Sequence, residues 1–259
     1  MTSEKPRIAS TDGVELESHL AEPDDETQVG NTAVVFLHGF PSGEVWADRI
    51  GADLPELADR AAAQLHWTAL AVRFRGCGES TGDFSLLGWI DDVHAAVEYL
   101  HGRSSPERIW VCGFGTGGAV GLIAAAYDVQ VSGVAVAGSP ADFDDWAANP
   151  NRLLAHAKRV GAISDATFPA DVDAWKAQLR RIRAVEAAEM LNPRPLLVLH
   201  GSEDELVPHF DARLLADAHR RADLRIIGGG GHQLRHDPRA VAVLLGWLGR
   251  QEAMQDDEL

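Results

Sequence analysis

The residues best suited to chemistry lie in four short segments, each placed directly after a predicted strand. Asp204 in the segment 200–208 is an acid that can orient a histidine, and His232 after four glycines can act as a base. Phe40 and Thr116 stand at turns where a backbone N–H can face a ligand oxygen. An acid, a base and N–H donors for an oxyanion are components of acyl-transfer chemistry.

The segment 113–117 reads Gly-Phe-Gly-Thr-Gly and matches the G-x-S-x-G motif except at its centre. That motif holds a nucleophile on a sharp turn between a strand and a helix, with small neighbours that let the two elements approach. The central residue here is Gly115, which has no side chain. Glycine tolerates backbone angles that strain other residues, so we expect the turn to be kept while the nucleophile is absent.

Each segment also has a plainer interpretation. Asp204 could serve a turn or a helix cap, His232 could lie at the surface of a flexible loop, and segment 38–41 (His-Gly-Phe-Pro) could be an ordinary turn. The stronger argument is their order, because the vacant centre, the acid and the histidine follow one another as in α/β-hydrolases.

With these motifs the chain resembles the α/β-hydrolases, and within them the branch of lysophospholipase-like esterases and serine aminopeptidase-like proteins. The loop 75–80 (Arg-Gly-Cys-Gly-Glu-Ser) is similar to that branch's R-G-x-G-x-S segment, although Arg73 replaces the usual preceding acid. The resemblance extends over almost the whole chain.

The resemblance implies a role for five positions. Asp204 and His232 take the acid and base roles, and the N–H groups of Phe40 and Thr116 form the oxyanion hole. The nucleophile role falls on Gly115, which cannot fill it. No cofactor and no metal site is expected, and His200 and His209 are assigned to structure or surface.

Other nucleophiles and one other motif have weaker support. Thr116, Cys112, Cys77 and Ser139 lie near the motif or on neighbouring loops, but none stands at its centre. The glycines 113, 115 and 118 also spell the G-x-G-x-x-G pattern of a dinucleotide site. That interpretation lacks the acid expected after the next strand and leaves the other three segments unexplained.

Strands and helices alternate along the chain, which favours a parallel sheet flanked by helices. We predict an α/β fold with a mostly parallel, eight-stranded α/β-hydrolase sheet, in which residues 1–138 and 195–259 form the core. Residues 139–194 contain no strand-like run and carry apolar residues at helical spacing. We predict that they form a small helical lid, whose aromatic residues line an apolar cavity or pack on the sheet.

Composition narrows the possible environments. A formal net charge of −16 disfavours nucleic acid as a partner, two cysteines fit a reducing compartment, and no apolar run is long enough for a membrane span. A cytoplasmic location is the expectation, and the oligomeric state is left open.

The sequence therefore leaves three functions open. The first is a catalytically impaired hydrolase that binds a small apolar, ester- or acyl-type ligand. The second is an enzyme in which His232 and Asp204 activate water or a substrate without a covalent intermediate. The third is a non-catalytic interaction protein.

Overall fold

A computed structural model describes residues 1–24, 31–42 and 45–256, with side chains described as far as Gln251. The sequence predicts a polar loop over residues 22–31 and a frayed acidic tail over 251–259, and the parts of both beyond these limits lie outside the described residues. The strands are β1 (Thr2–Glu4), β2 (Arg7–Ala9), β3 (Glu15–Glu22), β4 (Thr32–Leu37), β5 (Thr68–Val72), β6 (Arg108–Phe114), β7 (Val131–Ala137), β8 (Leu196–Gly201) and β9 (Asp223–Ile227).

The main sheet runs in the order β1-β3-β5-β4-β6-β7-β8-β9, and β2 pairs with β3. β4 to β9 pair in parallel, whereas β1, β2 and β5 all pair with β3 in antiparallel register. The predicted mostly parallel sheet is thus confirmed. From β4 the chain moves to β5 on one side and then returns to β6 on the other. Such a switch point opens a crevice at the carboxyl ends of the strands.

Within the described residues the sheet has nine strands, whereas eight were predicted. The additional strand is β1, in which all three side chains are exposed. A short polar segment has no apolar alternation to signal a strand. Its pairing with the far end of β3, with Thr2 opposite Glu22, supplies the backbone hydrogen bonds that stabilise it.

Helices cover both faces of the sheet. They are α1 (Leu54–Leu65), α2 (Leu86–Ser104), α3 (Thr116–Tyr127), α4 (Asp144–Ala148), α5 (Pro150–Val160), α6 (Val172–Arg181), α7 (Ala184–Leu191), α8 (His209–His219) and α9 (Pro238–Asp256). α1 and α9 bury one face of the sheet, while α2, α3, α7 and α8 bury the other. Both sides of β4 are buried, since Val35 and Phe36 face different clusters; this explains its continuous apolar run.

Four helices, α4 to α7, occupy the segment predicted as a lid. α7 packs against α3 and α8 of the flanking layer, whereas α4 lies against α5 and α6. Trp175 in α6 is buried and donates from its indole nitrogen to the Phe84 carbonyl, 3.2 Å away. The division into a core and a lid stays a prediction.

A buried ion pair holds the loop 75–80 against α2. Asp92, whose side chain is fully buried, accepts hydrogen bonds from Arg75 Nε at 2.9 Å and Nη2 at 2.7 Å. Its second oxygen accepts the Arg75 backbone N–H at 2.9 Å. Asp12 completes the partners of the guanidinium from the turn between β2 and β3. The loop after β5 is therefore fixed by charge as well as by packing.

Among the helices of the described residues, none combines the length and apolarity needed to span a bilayer.

Candidate active site

The loop after β4 is tied to the neighbouring loop by His38. Its Nδ1 donates to the Gly39 carbonyl at 2.7 Å, and its Nε2 accepts the Phe74 N–H at 3.0 Å. The ring is fully buried, and this burial lowers the pKa of His38 to about 3. A neutral ring matches the donor and acceptor roles that the two contacts require. His38 therefore shapes the site and takes no part in proton transfer within it.

Gly115 forms the turn between β6 and α3. Its backbone angles are φ 55° and ψ −130°, a conformation that side-chain-bearing residues rarely adopt. The Gly115 N–H donates to the Ala137 carbonyl at 2.9 Å, and its own carbonyl accepts from Gly118 at 3.0 Å. The turn predicted from the motif is thus present, and hydrogen bonds on both sides hold it.

The glycines beside Gly115 are required by close packing. A Cβ on Gly117 would lie 2.0 Å from the His38 carbonyl oxygen, and one on Gly113 would lie 2.4 Å from the Gly118 Cα. Both distances are too short for any side chain. The helix can therefore approach β4 and β6 only because these positions are glycine. Of the glycines in the dinucleotide pattern, 113 and 118 are explained by packing, since a Cβ on Gly118 would lie 2.7 Å from the Gly113 carbonyl oxygen, and 115 is explained by its positive φ.

Asp204 and His232 meet above the carboxyl ends of the strands. The His232 Nδ1 lies 2.9 Å from Asp204 Oδ2. Asp204 Oδ1 accepts two backbone N–H groups, from Leu206 and Val207, both at 2.9 Å. The carboxylate side chain is fully buried, whereas the imidazole is 25% exposed. A carboxylate fixed in this way selects the His232 tautomer that carries its proton on Nδ1 and leaves Nε2 free as an acceptor.

His232 Nε2 faces Gly115. An ideal Cβ built on Gly115 would lie 3.5 Å from Nε2 and 3.6 Å from the Gly39 Cα, both ordinary van der Waals distances. The space for a side chain is therefore open between the base and the turn. The structure brings Gly115, Asp204 and His232 together as the motif order predicted.

Phe40 and Thr116 lie on the two loops that flank Gly115. Thr116 is the first residue of α3, so its N–H has no acceptor inside the helix. In residues 1–24, 31–42 and 45–256, no hydrogen-bond acceptor is found for the N–H of Phe40 or of Thr116. Each remains able to donate to a ligand oxygen.

A cleft of about 510 Å³ opens beside these residues, and we call it the dyad cleft. Phe40, Thr116 and His232 reach its wall, and the lid segment supplies Phe143 and Trp146. The rest of the wall consists of Ser42, Pro140, Asp142, Asp144, Asp145, Leu206, Val207, Pro208, Phe210, Asp211 and Leu214. This volume suits a small ligand with apolar groups.

Three of the four other candidate nucleophiles are poorly placed, whereas Thr116 reaches the wall of the dyad cleft. Cys77 and Cys112 are buried free thiols, and burial raises the pKa of both far above the ordinary value of 9.0. A thiol that stays protonated is a weak nucleophile. The Ser139 hydroxyl is also buried, and it lies where a Cβ on Gly118 would be only 2.1 Å away. None of these three side chains is among the walls of the dyad cleft.

Sequence reasoning did not identify all the residues around Asp204. His200 Nε2 lies 3.6 Å from Asp204 Oδ2 and 3.0 Å from the Val207 carbonyl that it donates to. Its side chain is fully buried, whereas His209 is exposed at the start of α8. A histidine within four residues of the acid was the available signal, but a spacing alone does not show that it faces inward. In the part of the chain that is described, no group of three metal-ligand side chains is close enough to hold a metal ion.

Acid titration should reveal the Asp204 contacts. Burial pushes the pKa of Asp204 upward, but hydrogen bonds from His232, Val207 and Leu206 outweigh it and hold the pKa below its ordinary value of 3.8. A lowered folded-state pKa stabilises the protein above the unfolded value, and this stabilisation disappears as the pH falls from 3.8 through the folded pKa. We expect Asp204→Asn to remove that component from urea unfolding curves measured between pH 6 and pH 2.5.

The control for this measurement is Asp217→Asn, which changes an exposed carboxylate on α8. It should keep the acid-dependent loss of stability seen in the parent. If Asp204→Asn follows the parent and Asp217→Asn over the whole pH range, the Asp204 contacts carry no pH-dependent stability.

Comparison with known proteins places this geometry in a family. A model of the alpha/beta hydrolase family matches residues 34–244. A 2-hydroxymuconate semialdehyde hydrolase of Pseudomonas sp. (strain CF600) is 34% identical over 74 residues, which span 28% of this chain and about a quarter (26%) of that protein.

Similar solved structures cover nearly the whole chain. The alpha/beta hydrolase GrgF from Penicillium sp. sh18 has a TM-score of 0.70 at 21% identity, covering 98% of this chain and 97% of that one. Est1E from Butyrivibrio proteoclasticus, solved with ferulic acid bound, has a TM-score of 0.69 at 17% identity, covering 96% and 99%. The Pyrococcus furiosus esterase PF2001 has a TM-score of 0.67 at 18% identity, covering 96% and 89%. These identities establish the fold alone, whereas the family model covers most of the chain. The chain therefore belongs to the alpha/beta hydrolase family.

Proposed function

We propose that this protein binds a small ester- or acyl-type ligand in the dyad cleft and performs no covalent acyl transfer. The observation that carries the proposal is Gly115, which stands at the turn between β6 and α3 with open space toward His232 Nε2. Acyl-enzyme formation needs an oxygen or sulfur nucleophile in that space, and glycine supplies neither.

The remaining groups are suited to hold an ester or acyl carbonyl. The free N–H groups of Phe40 and Thr116 would donate to its oxygen as an oxyanion hole, supported by the positive end of the α3 dipole. His232, oriented by Asp204, would lie on the leaving-group side of the ester or acyl carbonyl. In this assignment Gly115 is a nucleophile position left vacant.

The ester class is supported by the names of similar proteins. Est1E and PF2001 share the fold, PF2001 is named an esterase, and Est1E was solved with ferulic acid bound. We also assign the chain to the lysophospholipase-like and serine aminopeptidase-like branch, on the segments 75–80 and 113–117.

The test combines labelling with binding. We expect no adduct on the parent protein after incubation with a serine-directed fluorophosphonate, read by intact mass, and no burst of 4-nitrophenol from 4-nitrophenyl butyrate. Ethyl butyrate should still bind in equilibrium dialysis. Phe210→Ala should weaken that binding about fivefold, because the exposed ring is a wall of the dyad cleft and contributes apolar contact area.

The control for binding is Leu87→Ala, which removes a similarly exposed apolar side chain outside the cleft and should bind as the parent does. Specific labelling of one residue would overturn the vacant-nucleophile assignment. Absence of ethyl butyrate binding, or equal binding by Phe210→Ala, would overturn the ligand-binding proposal.

A second candidate function has its own supporting observation. Since Gly115 has no side chain toward His232 Nε2, a water molecule bound beside Nε2 could lose a proton to it while attacking the ligand carbonyl. Removal of one triad member elsewhere leaves roughly 10³–10⁴-fold catalysis over water. If the parent hydrolyses 4-nitrophenyl butyrate slowly and His232→Ala hydrolyses it equally fast, this mechanism is excluded.

A further inference from the structure

We propose that a second cleft, lined by Arg152, His156 and Arg159 of α5, binds a carboxylate at the far end of the acyl ligand. The inference rests on the proposed function, because it needs an acyl group held in the dyad cleft. It adds the ligand class, which is an acyl chain with a terminal carboxylate.

The second cleft, which we call the arginine arm, has a volume of about 650 Å³ and continues the dyad cleft. The two share four wall residues: Phe40, Ser42, Asp145 and Trp146. The rings of Phe40 and Trp146 lie 5.2 Å apart at this shared wall. A ligand whose carbonyl reaches Phe40 can therefore extend its chain into the arginine arm.

Arg159 is oriented by the imidazole of His156. His156 Nε2 donates to the Pro41 carbonyl at 2.9 Å, and its Nδ1 accepts from Arg159 Nη2 at 2.6 Å. The guanidinium is thereby held relative to the segment 38–41, which also supplies the Phe40 N–H. Because an imidazole acceptor leaves the positive charge in place, the remaining N–H donors of Arg159 stay available for an anion.

Arg152 lies seven residues before Arg159 on the same helix, and both side chains are on the wall of the arginine arm. In the described part of the chain neither has a carboxylate within ion-pair distance. This differs from buried Arg75 and from Arg183, which each contact two or more carboxylates.

The opposite charge at the other end sets the direction of the ligand. Asp211 is on the wall of the dyad cleft alone and has no basic partner among the described residues, whereas Asp145 lies on the wall that the two clefts share. Asp211 is partly buried, and this burial, with Asp142 nearby, raises the pKa of its carboxyl. An anionic group is repelled from that end and attracted by the arginines, which form bidentate contacts with carboxylates. The neutral carbonyl is then left beside His232.

The experiment uses Gly115→Ser as an activity reporter and compares two esters with acyl chains of equal carbon number. Mono-(4-nitrophenyl) glutarate carries a terminal carboxylate, and 4-nitrophenyl valerate carries none. We expect kcat/KM to be higher for the glutarate. The double variant Arg152→Gln/Arg159→Gln in the same background should lower the glutarate-to-valerate ratio by about tenfold or more. Because both esters are measured on the same variant, the ratio does not depend on how much of that variant is folded.

Arg60→Gln serves as the matched control, since it removes one exposed arginine from α1 and lies on neither cleft. In the Gly115→Ser background it should keep the glutarate-to-valerate ratio of Gly115→Ser alone. The preference for glutarate should also decline between 50 mM and 500 mM NaCl, because salt screens exposed charges. A ratio that stays within twofold in the double variant overturns the carboxylate site.

Binding to the parent protein keeps the two proposals separable. Monomethyl glutarate and methyl valerate are compared by equilibrium dialysis, whether or not the reporter is active. Binding of methyl valerate without any preference for monomethyl glutarate leaves the proposed function intact and overturns the arginine arm. Absence of binding by both overturns the proposed function itself.

Discussion

Gly115→Ser should turn this protein into an esterase with kcat/KM at least about a thousandfold above the parent on 4-nitrophenyl butyrate. The serine Cβ fits without a clash, since its nearest neighbours are His232 Nε2 at 3.5 Å and the Gly39 Cα at 3.6 Å. Its hydroxyl would then lie beside a base that is already oriented by Asp204. The same variant should react with a fluorophosphonate at residue 115.

The matched control is Gly115→Ala. A φ of 55° strains serine and alanine alike, so both variants should lose about 1–3 kcal/mol of unfolding free energy in urea. Only the serine variant should gain esterase activity, which separates the hydroxyl from the backbone effect. A Gly115→Ser protein that is folded but inert, and that fluorophosphonate does not label, would show that the oxyanion or base positions are not competent.

Asp92→Ala should be the most destabilising single change outside the candidate site, lowering the unfolding free energy by about 3–5 kcal/mol. The variant leaves the Arg75 guanidinium, which is 7% exposed, without its buried partner and removes the acceptor of the Arg75 N–H. Asp12 still pairs with Arg75 but lies largely at the surface. Urea unfolding followed by circular dichroism measures the change.

Two further variants test the reason for that loss. Asp91→Asn alters the neighbouring exposed residue on the same helix and should change stability by less than about 0.5 kcal/mol. Arg75→Met/Asp92→Leu should be more stable than Asp92→Ala alone, because no unpaired charge is left buried. A double variant no better than the single one would assign the loss to packing and not to charge.

Local patterns were sufficient for most of the fold. Apolar runs such as Thr32–Leu37 predicted buried strands, and the periodic residues from Leu86 to Leu100 predicted α2, because burial on a sheet or a helix face imposes a period on the sequence. β1 lacked any such pattern, since its side chains are exposed and its stability comes from pairing with β3. The sequence of a polar tripeptide does not indicate that it pairs with a distant strand.

The candidate site was also predictable from the sequence only in part. The chain order of Gly115, Asp204 and His232, together with the glycines that flank the turn, was sufficient to propose that these residues meet. Glycine at 113 and 117 is a local signature because close backbone approach excludes any Cβ there. The sequence by itself therefore determined the fold class, and it predicted the vacant position and the acid–base pair, which stay predictions.

Only the tertiary structure decided what surrounds that pair. His38 and His200 are inward-facing hydrogen-bond partners, although both stand in segments that also predicted chemistry. Arg159 is held by His156, and His156 in turn by the carbonyl of Pro41, 115 residues earlier in the chain. The walls of the two clefts combine loops that follow different strands with helices of residues 139–194, the predicted lid. Their charge and shape depend on long-range contacts, and a periodic pattern within one segment carries no information about them.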